Sequence, residues 1–99
     1  MSNPTYAIFW TTSAKLDLKD IYLSLEQRIS LLVATKITDE IFVSLNSISF
    51  SDLFQIDEYR IDCRRIITRN YKILYQFHHN TIYVVRIFNT FQDPIKSLR

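Results

Sequence analysis

Between Tyr59 and Asn89 the chain alternates side-chain character in three runs, broken only at Arg69-Asn70 and His79-Asn80. Breaks of two residues leave no room for a crossover helix, so successive runs must fold back as antiparallel hairpins. Ile61, Cys63, Arg65 and Ile67 alternate with Arg60, Asp62, Arg64 and Ile66 in the first run. Tyr71, Ile73, Tyr75 and Phe77 alternate with Lys72, Leu74, Gln76 and His78 in the second, and Ile82, Val84, Arg86 and Phe88 with Tyr83, Val85, Ile87 and Asn89 in the third. A strand buried on one face has this period of two, and the pattern predicts a three-stranded meander. The sequence has no glycine. Turn positions that need positive φ therefore fall to other residues, and the Asn in each break suits them.

Ahead of the meander the period changes. Tyr6 to Trp10 is short, aromatic and preceded by Pro4, which predicts a first strand. Thr11-Thr12-Ser13 offers hydroxyls for a helix N-cap, with Asp17 and Asp20 near the positive end of that helix. Leu18, Ile21, Tyr22, Leu25 and Ile29 then recur at steps of three and four, leaving Lys15, Lys19 and Glu26 on other faces. Ser30 is a plausible second cap, followed by Ala34, Ile37, Ile41, Leu45 and Ile48 at the same steps. One continuous helix through this region would run about 45 Å at ~1.5 Å per residue, too long for a domain this small, so two helices forming a hairpin are expected. Ser47 to Glu58 lacks a clear period and reads as the loop into the sheet.

The order is βααβββ. Helices ahead of a run of strands predict an α+β fold, a helical hairpin packed on one face of an antiparallel sheet, with the opposite face left for a partner. With 99 residues, 47% hydrophobic and 14% aromatic, the chain can bury one core, and a single domain over residues 1–99 is expected. Cys63 is the one cysteine and has no internal disulfide partner; together with the lack of a leader-like or membrane-spanning apolar run, this leads us to expect a cytoplasmic protein. Charge is uneven: residues 1–53 hold four Lys or Arg against six Asp or Glu, and residues 54–99 hold eight against four. An anionic partner, whether RNA or an acidic protein segment, is therefore expected on the sheet half.

Three stretches carry a family likeness: Arg64-Arg65-Ile66-Ile67-Thr68, then Tyr71-Lys72-Ile73-Leu74-Tyr75, then Ile87-Phe88-Asn89-Thr90-Phe91-Gln92-Asp93-Pro94. In order and spacing they resemble the RelE/ParE superfamily of bacterial type II toxins, whose closing strand commonly ends Phe-Asp-Thr-Arg-Gln-Asn-Pro. This chain departs from that motif at Asn89, where relatives carry an acid, and at Phe91, where they carry an arginine. Phenylalanine cannot supply the forked donors of arginine. The resemblance implies a toxin held by a cognate antitoxin whose disordered tail folds onto it. It leaves two modes of action: RelE-like cleavage of messenger RNA in the ribosomal A site, and ParE-like binding of DNA gyrase, to which this chain looks nearer.

RNA cleavage needs cations at the phosphate and a group that moves a proton. In that mode Arg65 and Arg86 would meet phosphate, with His78, His79 or Glu58 as proton carriers. Both histidines fall at a predicted hairpin tip. Arg86 has a structural alternative, snorkelling to the sheet edge or pairing with Asp62. Tyr71, Tyr75 and Phe77 share a face and read as core more readily than as a base-stacking platform. In the binding mode, Arg60, Arg64, Arg65, Arg86, Phe91 and Gln92 are the expected contact residues for target or antitoxin. Adjacent histidines and a lone cysteine indicate no metal, and no cofactor is implied. A third reading is an inactive family member kept as an antitoxin-binding or homodimerising module.

Overall fold

The computed structural model describes residues 6–48, 53 and 55–91. In chain order these form β1 (Ala7–Trp10), α1 (Thr12–Arg28), α2 (Leu31–Asn46), β2 (Arg64–Thr68), β3 (Tyr71–His78) and β4 (Thr81–Asn89). The expected α+β order is present. The helix pair is set by two caps: Thr11 Oγ1 accepts from the Ala14 N–H at 3.2 Å, and Ser30 Oγ accepts from the Val33 N–H at 3.1 Å. Each satisfies a donor that the first helical turn leaves open. Between them Ile29 leaves helical geometry at φ −124, ψ −79, which ends α1 without glycine or proline.

The sheet order is β1-β4-β3-β2. β2, β3 and β4 form the predicted antiparallel meander. β1 joins the far side of β4 in parallel, Ala7 opposite Thr81 and Trp10 opposite Val84, so the sheet is mixed where the sequence suggested an antiparallel one. The helical hairpin between β1 and the meander makes this possible, because a parallel neighbour needs a long crossover. β2 begins at Arg64, later than the alternation from Tyr59 suggested, and residues 61–62 form a turn.

The main core lies between the helices and one sheet face. Ala14, Ile37, Ile41 and Leu45 pack there against Tyr71, Ile73, Tyr75, Ile82, Val84 and Ile87, with Leu18, Ile21 and Leu25 at its margin. The core reading of Tyr71 and Tyr75 holds. In β4, strict alternation fails: Tyr75 pairs with Val84 but Leu74 pairs with Arg86, leaving Val85 as an extra residue. This β-bulge puts Val84 and Ile87, three residues apart, into the same core and re-aims Arg86.

The opposite sheet face is only partly open. Cys63, Leu74 and Phe88 make a second buried cluster with Val85 against them. After Leu53, which packs in the main core, the chain passes round the outer edge of β2. Ile56 bridges Arg64 and the Arg65 N–H donates to the Gln55 carbonyl at 2.8 Å. It then lays Asp57 onto the opposite face. Asp57 is 1% exposed and Lys72 4%. Lys72 Nζ donates to Asp57 Oδ1 at 2.6 Å, and the backbone N–H groups of Tyr59 and Arg60 donate to Asp57 Oδ2 at 3.0 and 2.8 Å. The face expected to be wholly free thus carries an anchored cover.

Both hairpin turns use positive φ. His79 and Asn80 sit at 48° and 60°, as a two-residue primed turn requires. In the first turn Arg69, at 55°, takes this conformation in place of the expected Asn70. Its guanidinium makes a two-pronged ion pair with Glu40 of α2, which ties the turn to the helix.

Candidate functional site

Adjacent residues of a strand point to opposite faces, and this separates the arginines that the sequence placed together. Arg64 shares the parity of core-facing Ile66, and its Nε donates to the Leu53 carbonyl. Arg65 lies on the opposite face, where its Nη1 is 3.4 Å from Glu58 Oε1. Arg60 is turned onto Asp62 through two bonds, 2.9 and 3.2 Å. Arg86 reaches α1, not the suggested Asp62: its Nε and Nη2 donate to the two oxygens of Asp17 at 2.7 and 3.1 Å, and Asp17 Oδ2 also accepts the Ile87 N–H at 2.9 Å. Asp17, expected to favour the helix N-terminus, instead secures the edge of β4 beyond the end of β1.

The basic excess of the sheet half is therefore largely compensated within the fold. Arg60, Arg65, Arg69, Lys72 and Arg86 each have a carboxylate partner. The pairing shows in the acids. Hydrogen bonding from Arg60 holds the Asp62 carboxyl below its ordinary range, and Arg69 does the same for Glu40. For Asp57, burial pushes the carboxyl up, but Lys72 and the two backbone N–H groups outweigh it and the value falls. Burial pushes the Cys63 thiol up, which leaves it an inert part of the core.

Two hollows remain. The larger, about 580 Å³, runs between α1 and the sheet, with Ile21, Leu25, Tyr71 and Ile87 among its apolar lining and Asp17, Arg28, Arg86 and Asn89 among its polar one. The smaller, about 220 Å³, lies on the opposite face and is lined by Glu58, Tyr59, Arg65, Ile67, Lys72, Phe88 and Thr90. Lys72 Nζ sits 5.0 Å from the centre of the Tyr59 ring and 5.1 Å from that of Phe88, so both rings lie against a buried cation.

Of the proton carriers considered, only Glu58 stands beside a candidate arginine. His78 and His79 stack edge-on at the β3–β4 turn with centroids 3.9 Å apart. That turn is five residues past Leu74, the position opposite Arg86, roughly 16 Å at ~3.3 Å per residue. Phe91 is 86% exposed, and its N–H donates to Asn89 Oδ1 at 2.8 Å, so Asn89 closes the turn after β4. Gln92 lies outside the described residues. Sequence reasoning missed Asp17, Tyr59 and Lys72 as site formers. Asp17 meets Arg86 across 69 positions and Asp57 meets Lys72 across 15, separations at which no local pattern reports a contact.

Among the described residues no three His, Cys, Asp or Glu side chains gather where they could hold a metal ion, and no helix is long and apolar enough to cross a membrane. The fold is similar to that of the chromosomal ParDE toxin–antitoxin system of P. aeruginosa, with TM-score 0.71 and 20% identity over 86% of this chain and 96% of that one. It is also similar to a free arginine-to-alanine double mutant of the E. coli toxin RelE, with TM-score 0.66 and 13% identity over 95% and 93%. The RelBE2 toxin–antitoxin complex of Mycobacterium tuberculosis gives TM-score 0.59 and 16% identity over 86% and 91%. No curated protein matches the sequence. The family model described as "ParE toxin of type II toxin-antitoxin system, parDE" matches residues 8–94. A match over that much of the chain, on a fold shared with ParDE and RelE, means that this protein belongs to the ParE toxin family of type II toxin–antitoxin systems.

Proposed function

We propose that this toxin arrests growth in the ParE manner, by binding a macromolecular target, DNA gyrase, without cleaving RNA, and that a cognate antitoxin neutralises it in the cytoplasm. The observation that supports this is the separation of Arg86 from the two histidines. Arg86 is held by Asp17 in the α1 hollow, and the histidines lie far along the hairpin from it. In-line RNA cleavage needs such groups converging on one phosphate. A binding protein needs only a stable surface, which the paired arginines and the anchored Asp57 segment provide.

The test has two arms. Purified toxin should inhibit supercoiling by gyrase in vitro, and expression should arrest growth in a manner relieved by the antitoxin from the neighbouring reading frame. Primer extension on translated messages in the same cells should show no new cuts. Cuts that vanish in Arg65→Ala would establish the RelE-like alternative, which the Arg65–Glu58 pair favours because it sets a carboxylate beside a cation on one face. An inactive, antitoxin-binding or homodimerising member is the third reading. It predicts no arrest from the natural chain and arrest after Phe91→Arg.

A further inference from the structure

Arg65 differs from the other paired arginines. Arg60, Arg69 and Arg86 each meet their carboxylate through two nitrogens, whereas Arg65 makes a single contact of 3.4 Å to a glutamate whose side chain is 65% exposed. Charge-assisted bonds are ordinarily about 2.7–2.9 Å, so this is the loosest of the set and the easiest to exchange. Its surroundings are of mixed character and partly uncovered: Ile67 is 54% exposed and Tyr59 42%, and both line the 220 Å³ hollow with Arg65, beside the charged Glu58 and Lys72. That volume is below the ~300–1,000 Å³ of small-molecule pockets and suits a side chain presented by a larger partner. Arg65 and Tyr59 around a small hollow with Ile67 and Phe88 in its wall are of the residue types enriched at interface hot spots.

We propose that this hollow is the docking point for an extended acidic segment of the partner antitoxin, and that Glu58 acts as an internal stand-in for the partner's carboxylate. An incoming acid displaces Glu58 from Arg65 while a neighbouring apolar side chain settles between Tyr59 and Ile67. With Glu58 in place, Arg65 and Lys72 face Glu58 and Asp57, and the site is neutral. With Glu58 swung into solvent it carries one uncompensated positive charge, which selects an anion. Docking is through side chains, because the Gln55–Asp57 segment covers the start of the adjacent β2 edge. A nucleic acid is the poorer fit. It would set a row of phosphates against Asp62 and Glu58 as well as the arginines, where a peptide can place one acid at one position. The inference rests on the toxin reading above and assigns the partner's chemistry at one site.

The experiment uses the full chain and fluorescent, end-blocked peptides alternating leucine with glutamate, with leucine–lysine peptides and single-stranded RNA as comparators, read by anisotropy. The acidic peptide should bind and the basic one should not. Glu58→Gln, by removing the internal competitor, should tighten acidic-peptide binding about two- to fivefold. Arg65→Ala should weaken it roughly tenfold. Circular dichroism should leave both surface variants folded. A merely structural Glu58–Arg65 pair would not make Glu58→Gln a tighter binder, so unchanged or weaker binding overturns the proposal. So does RNA binding that tightens in Glu58→Gln while the peptide fails to bind. Growth arrest by the natural chain in the face of either result would leave the toxin reading intact and remove only this site.

Discussion

Lys72 carries a charge into a nearly buried place against the rings of Tyr59 and Phe88, where among the described residues Asp57 compensates it. Losing one partner of such a pair leaves the other charge buried and alone, which costs about 3–5 kcal/mol. Asp57→Ala also removes the acceptor of the Tyr59 and Arg60 N–H groups, so its effect in urea denaturation should lie in the upper part of that range. The pH dependence has a definite sign. Because the folded value of Asp57 is lowered, its contribution to stability is complete above the unfolded carboxylate value of about 3.9 and is lost as pH falls through the lower folded value. The natural chain should therefore lose more stability between neutral and strongly acid pH than Asp57→Asn does. Equal losses in the two proteins would mean that Asp57 does not titrate as the pairing requires.

At the scale of elements, the β3–β4 turn places two non-glycine residues, His79 and Asn80, at positive φ. Such a conformation costs an L-residue other than Asn or Gly roughly 1–2 kcal/mol, and the favoured pair in a two-residue turn of this kind is Asn-Gly. His79→Asn with Asn80→Gly should raise the unfolding midpoint, by about 1 kcal/mol of stability, and leave toxin activity untouched. Arg69 does not lend itself to the same change, because its strain is offset by the bond to Glu40. The elements themselves were legible in the sequence wherever the signal is local. Ser30 and Thr11 cap within three residues of the donors they satisfy, and Tyr71, Ile73 and Tyr75 alternate into the core as their spacing requires. What was not legible depends on distant partners. The bulge at Val85 breaks the period of β4 so that Arg86 can meet Asp17, and nothing in Ile82 to Phe88 alone signals a missing step. The parallel seat of β1 follows from where the helical hairpin delivers the chain. The Asp57 cover arises because a segment without periodicity found one buried lysine across the sheet.

For the molecule as a whole, counted charge and available charge are different quantities. The basic excess of residues 54–99 suggested a surface for anions, yet the fold spends most of those cations on its own acids. Glu40, Glu58 and Asp62 neutralise Arg69, Arg65 and Arg60 at exposed or half-exposed positions, where the pairs add little to stability but cancel the field that a polyanion would meet. The natural chain should then bind single-stranded RNA only in the non-specific range, ~10⁻⁴–10⁻⁶ M or weaker, with a shallow dependence on salt. Combining Glu40→Gln, Glu58→Gln and Asp62→Asn frees three guanidinium groups while leaving the buried Asp57–Lys72 pair and the Asp17–Arg86 clamp intact. Each phosphate neutralised on a single strand adds about 0.7 to the slope of log K against log salt, so the triple variant should bind RNA more tightly and steepen that slope by about 2. A natural chain that already shows the steep slope would mean that its exposed ion pairs open on contact with RNA. The surface would then be cationic in function as well as in composition, and the ribonuclease reading would gain at the expense of the gyrase one.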